Sequence, residues 1–348
     1  MTTTAITIDP DSPQGGPYGD PKPGTKPRRL RKRPSLADLI FRGGATMTGT
    51  VVLAVMTLIG LFLFIKALPA LKSRGFAFLT TAEWVPDNHH FGIAAVLTGT
   101  IFIALVAICV AVPLALGTSL FISEVAPARL KQWLISAVDL MAAVPSVVYG
   151  LWGFDFLQGH VVGVSRWIST WFGWIPIFKV PGADPTNPLS STGIYASSTF
   201  IAGLAVAMMV TPITCSIMRE AFSQAPLGER EGAYALGGTR WGMIRTVVLP
   251  FGKGGIIGGV MLGLGRALGE TIAVYLIISP VFTINWHILG RGSNSVAALI
   301  ALRYGDASGF GLSALLAAGL SLFVLTLVVN FTASTIVARS RSGAQSEA

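Results

Sequence analysis

The 348 residues are 52% hydrophobic and only 12% charged, well below the roughly 25% charge of an ordinary soluble domain, which excludes a water-soluble globular protein and points to a chain built for a bilayer. Twenty-five Lys and Arg against 16 Asp and Glu give a formal charge of +9. These basic residues fall in short segments between apolar runs and form no patch among aromatics, so they read as topology signals, not as a nucleic-acid surface.

Residues 1–45 are rich in Pro, Gly and Thr and then basic (KPRRLRKR, 26–33), the composition of a disordered cytoplasmic tail and not of a cleavable leader. Stretches long enough to cross a bilayer, about 20 residues, follow at 46–68, 93–122, 133–154, 198–218, 254–279 and 311–337. The expectation is an all-α, polytopic membrane protein with six transmembrane helices over 46–338, and a short cytoplasmic tail at 339–348. A seventh candidate, 161–178, contains Arg166 and three Trp. If it crossed, 13 Lys and Arg would lie inside and 10 outside, whereas six spans with the N-terminus inside place 17 inside and 7 outside. The positive-inside rule selects six, with both termini cytoplasmic and the protein multi-pass in the cell membrane. Trp167, Trp171 and Trp174, at i, i+4 and i+7, then suit a short helix on the outer interface, within an outer loop at 155–196.

Pro113, Pro145 and Pro212 fall within spans, where each removes a backbone donor and tends to kink the helix; ordinary membrane prolines and a pore-shaping bend are both open readings. Cys109 and Cys215 lie in apolar runs and offer neither a disulfide framework nor a metal cluster. His89, His90, His160 and His287 fall in outer loops, and the His89–His90 pair reads as a wet connection more readily than as a metal site. Asp139, in the third span, is a buried charge expected to cap or pair near the cytoplasmic end.

The fifth span holds GLGRALGETIAV (263–274), with Arg266 and Glu270 four residues apart. Residues four apart meet on one face of a helix, so the two share a face. An Arg at the bilayer centre costs roughly 2.5–3.5 kcal/mol, and a Glu of similar cost brings the opposition to about 5–7. The eleven Leu, Ile and Val of 254–279 return about 3–7 kcal/mol, so the span needs a bundle around it, with both charges turned toward protein or water. Gly255, Gly259 and Gly263, and separately Gly265 and Gly269, recur at intervals of four, the small-residue pattern of close helix approach. Two readings of the charges stand side by side: a pair that neutralises itself or staples neighbouring helices, and a guanidinium on an anion route, its planar fork matched to tetrahedral oxyanions, with Glu270 orienting it and moderating its grip.

Between the fourth and fifth spans lies EREGAYALGGTRWGMIRTVVLP (229–250). Pro226 is placed to start a short helix, Gly237–Gly238 to end it, Thr239 to cap a second and Pro250 to close that one. By composition alone this is either a surface loop or an element that docks into a groove on a soluble partner. Its residues resemble the loop of ABC importer permeases, E-A-A-x-x-x-G, nine residues, then I-x-L-P. Glu231, Ala233, Gly237, Val247, Leu249 and Pro250 match in spacing, with Gly232 in place of the second Ala and Val247 in place of Ile.

Together with AAVPSVVYGLWG (142–153), WGMIRTVVLP (241–250) and GLGRALGETIAV, the chain over about 40–338 is similar to PstC-type permeases of phosphate importers. That resemblance implies a type I ABC importer permease fold and a phosphate route past Arg266 and Glu270. It also implies that 219–252 is an ATPase-coupling loop, and that the partners are a second related permease, two copies of an ATP-binding subunit and an external phosphate-binding protein, besides membrane lipid. No G-x-x-x-x-G-K-[ST] loop is present, so ATP and Mg²⁺ are expected on the partner ATPase, with no cofactor, catalytic residue or metal in this chain. A permease for sulfate or molybdate is the nearest alternative; an anion channel is more distant, and a membrane-embedded enzyme would need a clustered nucleophile and base.

Overall fold

The computed structural model describes residues 36–183, 192–307 and 309–341; of the tails expected at 1–45 and 339–348, residues 1–35 and 342–348 lie outside them, as do 184–191 of the outer loop expected at 155–196. The chain forms two compact units, one up to Met56 and one from Thr57 onward. Helix α1 (Leu36–Arg74) begins inside the stretch expected to be tail, because Leu36, Leu39, Ile40 and Phe41 extend the apolar run backwards. Helices α3 (Ala94–Leu120, prolonged by a π turn to Val125), α7 (Thr199–Ser223) and α13 (Phe310–Arg341) match the second, fourth and sixth expected spans. Among the described residues, five helices are long and apolar enough to cross a membrane, or six when one bent pair counts as a span.

That bent pair stands where the third span is expected at 133–154, with Pro145 tending to kink it. Helix α4 (Ala128–Ala143) stops, and a second run starts at Ser146 after an 88° bend. The cause is Pro145: its ring excludes the α conformation from the residue before it, and Val144 is extended, with ψ 128°. Helix α5 (Ser146–Trp152) then passes through a π turn into α6 (Gln158–Phe172). The separate helix expected at 161–178 is therefore the far part of a run that begins at Ser146. Trp167 and Trp171 project from it, exposed, while Trp174 lies beyond its Gly173 cap. Pro113 and Pro212 sit inside continuous helices.

At one end of the bundle, α2 (Ala77–Thr80) and the antiparallel pair β1 (Trp84–Val85) and β2 (His90–Phe91) pack Phe78, Trp84 and Phe91 against α12 (Val296–Arg303) and the start of α13. His89 takes a left-handed turn conformation and sets its ring edge-on to Phe310, 4.4 Å between centroids. The middle is held by α3 against α7, where Ala104, Ala107, Ala111 and Ala115 form the buried stripe of α3. At the other end, α8 (Leu227–Ala235) and α9 (Arg240–Met243) adjoin a cluster containing Ile122, Met218, Phe222 and Val248.

Helix α10 (Leu249–Leu268) packs antiparallel on α7 along the first glycine stripe. A Cβ at Gly263 would lie 2.7 Å from Thr214 Oγ1 and 2.8 Å from Val210 Cγ1; one at Gly259 would lie 3.2 Å from the Thr214 carbonyl oxygen; one at Gly255 would overlap Ala221. The second stripe has a different place. Gly265 faces Asn330 of α13 at 3.8 Å, and a Cβ at Gly269 meets only its own chain.

Gly263→Ala is expected to destabilise the detergent-solubilised protein by about 1–3 kcal/mol through overpacking. Gly258→Ala, with nothing within 4 Å of its Cβ position, should be neutral or gain up to about 1 kcal/mol of helix propensity. Thermal unfolding of the two variants side by side checks both.

Candidate functional site

The fifth span expected at 254–279 is broken, and this changes the relation of its two charges. A helical run enters from Arg240 through a π turn at Ile244–Val248, continues as α10 and stops at Leu268. Gly269 caps it, Glu270 and Thr271 are not helical, and α11 (Ile272–Ile277) follows. The i, i+4 spacing of Arg266 and Glu270 therefore no longer places them on one face. No hydrogen bond or ion pair joins them among the described residues.

Glu270 turns instead to the start of α11, where its Oε1 accepts the Ala273 backbone N–H at 3.1 Å. The residue is only 9% exposed. A helix start leaves backbone donors without partners, and at membrane depth each such group costs several kcal/mol unless the protein satisfies it. A carboxylate is the strongest side-chain acceptor for that task and is favoured by the helix dipole. Arg266, in the last turn of α10, is exposed within this chain, and no side-chain hydrogen bond or ion pair engages it among the described residues.

Two helix breaks adjoin here. Helix α11 packs on α5 so closely that a Cβ at Gly150 would lie 2.9 Å from Ala273 Cα and 2.8 Å from Leu276 Cδ1. At the α4–α5 bend the half-buried Tyr149 donates its hydroxyl to the Met141 carbonyl at 2.9 Å, a second bond to an acceptor that the Val144 backbone N–H already reaches at 3.3 Å. Tyr149 was not singled out in the sequence, although it lies in the AAVPSVVYGLWG stretch; its pairing with the Met141 carbonyl depends on a bend that apolar patterning does not encode. Asp139, expected to be buried, is exposed, and it accepts the Ser216 hydroxyl at 3.2 Å, linking α4 to α7.

The loop at 229–250 follows its turn chemistry closely. Pro226 precedes α8, and Gly237, with φ +80°, ends it by donating to the Tyr234 carbonyl at 2.9 Å. Thr239 caps α9, its hydroxyl accepting the Gly242 N–H at 3.1 Å. Pro250 differs from expectation: it does not close the second helix but is the second residue of α10, which continues from α9. The π turn immediately before it widens the hydrogen-bond register, so the missing donor and the ring are accommodated. Glu231 is exposed on α8, while Ala233 and Leu249 pack on the cluster beneath and Val247 lies half-buried in the π turn. Nothing lies within 4 Å of a Cβ at Gly232, so its departure from the family pattern costs helix propensity and no packing. Leu227, Tyr234, Leu236 and Trp241 are exposed, Leu236 at 91%, an apolar surface left uncovered by the described residues.

Residues 111–342 match the family model described as the inner membrane component of binding-protein-dependent transport systems. The chain is similar to a phosphate transport system permease protein PstC of Pasteurella multocida, 34% identical and covering 84% of this chain and 89% of that one. It is likewise similar to PstC 2 of Mycobacterium tuberculosis, 33% identical over 92% and 99% of the two chains, and to PstC of Xylella fastidiosa, 35% over 92% and 96%. Among solved structures, a chain of the bacterial alginate ABC transporter, in complex with its alginate pentasaccharide-bound periplasmic protein, superposes with a TM-score of 0.56 at 18% identity, covering 88% of this chain and 98% of that one. That likeness concerns the fold.

If Glu270 is the cap of α11, Glu270→Ala should lower stability by about 0.5–2 kcal/mol, while Glu270→Gln, whose amide oxygen still accepts, should stay near wild type. Thermal unfolding in detergent distinguishes the two.

Proposed function

The chain belongs to the inner membrane components of binding-protein-dependent transport systems, within the group of PstC phosphate-transport permeases, and from that premise we propose how it works. It is the permease subunit of an ATP-driven phosphate importer of the cell membrane, and it forms the route for inorganic phosphate together with a second, related permease. ATP and Mg²⁺ are bound by two copies of a separate ATPase subunit, and phosphate arrives from an external binding protein. The N- and C-termini face the cytoplasm, as the Lys and Arg asymmetry of the sequence favours.

The observation that carries the site reading is Arg266, a guanidinium at the end of α10 that no side-chain hydrogen bond or ion pair engages among the described residues, beside two helix breaks. A cation in a membrane span is retained where it faces a cavity or a partner, and discontinuous helices are how bundles expose polar groups at depth. The planar fork suits the oxygens of a phosphate. Glu270 acts by fixing the break through its bond to Ala273, which gives it a positional role beside the route. Arg266 needs only transient affinity, because selection falls to the external binding protein.

Helices α8 and α9 seat in a groove of the ATPase. Their uncovered Leu227, Tyr234, Leu236 and Trp241 supply the apolar surface, and Glu231 supplies a charge on the exposed face of α8. Ala233, Val247 and Leu249 support the element from beneath, Gly237 turns the chain between its two helices and Pro250 follows the π turn at the start of α10.

In proteoliposomes holding the complete importer, Arg266→Gln should cut phosphate uptake about tenfold or more, the scale of losing a charge-assisted bond pair, while all subunits still copurify. Undiminished uptake would remove Arg266 from the route, and uptake of sulfate or molybdate in place of phosphate would reassign the substrate. Glu231→Lys should release the ATPase from the purified complex or abolish uptake; full transport with normal copurification would argue against docking there.

A further inference from the structure

Arg230, next to Glu231, points into the protein instead of outward. Its Nη1 lies 3.1 Å from Glu124 Oε2, and its Nη2 donates to the Phe222 carbonyl at 2.6 Å. The Glu124 side chain is 3% exposed and that of Arg230 17%. The other carboxylate oxygen, Glu124 Oε1, accepts the Ser123 hydroxyl at 2.5 Å. Glu124 belongs to the π turn that ends α3, and Phe222 to the last turn of α7. One guanidinium thus fastens α8 to the ends of two bundle helices that pack along each other.

Such a pair is costly to bury and contributes little net stability, but removing one partner leaves an uncompensated charge. It therefore resists separation far more than an apolar contact of the same size, which slides. The remainder of the loop is joined to α3 and α7 by apolar packing of residues such as Ile122, Met243 and Ala233. From α7 the path continues through the glycine seam to α10 and Arg266, a stack of close contacts in which the small residues leave no slack.

We infer that the Arg230–Glu124 pair, with the Arg230–Phe222 bond, is the mechanical joint that carries displacement of α8 into α3 and α7. Arg230 and Glu124 are positioning residues; neither touches phosphate or nucleotide. The inference rests on the reading of α8 and α9 as the ATPase-docking loop.

The test uses the complete importer in liposomes, with phosphate uptake and ATP hydrolysis measured on the same preparation. Arg230→Gln and Glu124→Gln should each copurify with the ATPase and hydrolyse ATP, while phosphate delivered per ATP falls about tenfold. The charge-swapped double variant Glu124→Arg/Arg230→Glu should recover part of that ratio. An unchanged ratio in either single variant overturns the joint. So does loss of copurification in both, since the pair would then only hold the fold together. A second readout needs no substrate: spin labels at Gly228→Cys on α8 and Leu105→Cys on α3, with Cys109 and Cys215 replaced. Their separation should stay fixed through the ATP cycle in an otherwise unaltered chain and shift with ATP when Arg230→Gln is added. A fixed separation in both chains overturns the joint. If the unaltered importer hydrolyses ATP without accumulating phosphate, the substrate reading has failed and the spin-label result still decides the joint.

Discussion

The bond from the Ala273 backbone N–H to the Glu270 carboxylate allows a membrane helix to stop and restart without leaving a peptide group stranded in an apolar surrounding. Everything at the candidate site depends on that constraint. A bilayer offers no water to an open backbone, so a break at depth persists only where the chain supplies the missing partner. Glu270 supplies one for α11 at the Ala273 N–H, and at the neighbouring bend the Tyr149 hydroxyl adds a second donor to the Met141 carbonyl. Because Glu270 is committed to the backbone, it is not committed to Arg266, and the guanidinium keeps its fork of donors. An arginine tied to a carboxylate is a staple; one held beside a satisfied break can take an anion and let it go.

The packing around the breaks explains how a small displacement elsewhere could reach them. Helix α10 lies on α7 across Gly255 and Gly263, where a methyl group has no room, and Gly259, where it would be tight, and α11 lies equally close on Gly150 of α5 and on Gly153 in the π turn that follows. Interfaces of that kind do not deform continuously; they hold or they shift as units. The chain thus joins a rigid seam, a pair of interrupted helices and the 229–250 loop, whose helix α8 is fastened by a buried ion pair.

Much of this was legible in the sequence where the physics is local. Run length alone located α3, α7 and α13, since crossing a bilayer demands about 20 apolar residues. The turn residues Pro226, Gly237 and Thr239 placed α8 and the start of α9, because each acts on its own backbone. The glycine periodicity at 255, 259 and 263 marks a close approach of α10 to a neighbour, which is α7. The failures have one physical cause: the outcome was decided by partners distant in sequence or by a cap that competes with the helix. Arg266 and Glu270 read as one face because spacing assumes an unbroken helix, while Glu270 caps α11 instead. Pro145 was read as one of three kinks, yet it turns the chain by 88° and merges 161–172 into the run from Ser146. Pro250 was read as a terminator and is absorbed by a π turn that no residue pattern announced. The Glu124–Arg230 pair spans 106 positions, and nothing near Glu124 marks it.

The central claim is that Arg266 borders a wetted phosphate route at the break between α10 and α11, and the most direct measurement is chemical access one turn away. Leu262 lies four residues before Arg266 within the same helix and is 52% exposed in this chain, so Leu262→Cys reports on that face without removing the guanidinium. In the assembled importer, with Cys109 and Cys215 replaced, a membrane-impermeant thiol reagent should modify this cysteine, and inorganic phosphate should slow the modification. A cysteine that the reagent never reaches, or that reacts at the same rate whether or not phosphate is present, would contradict the account.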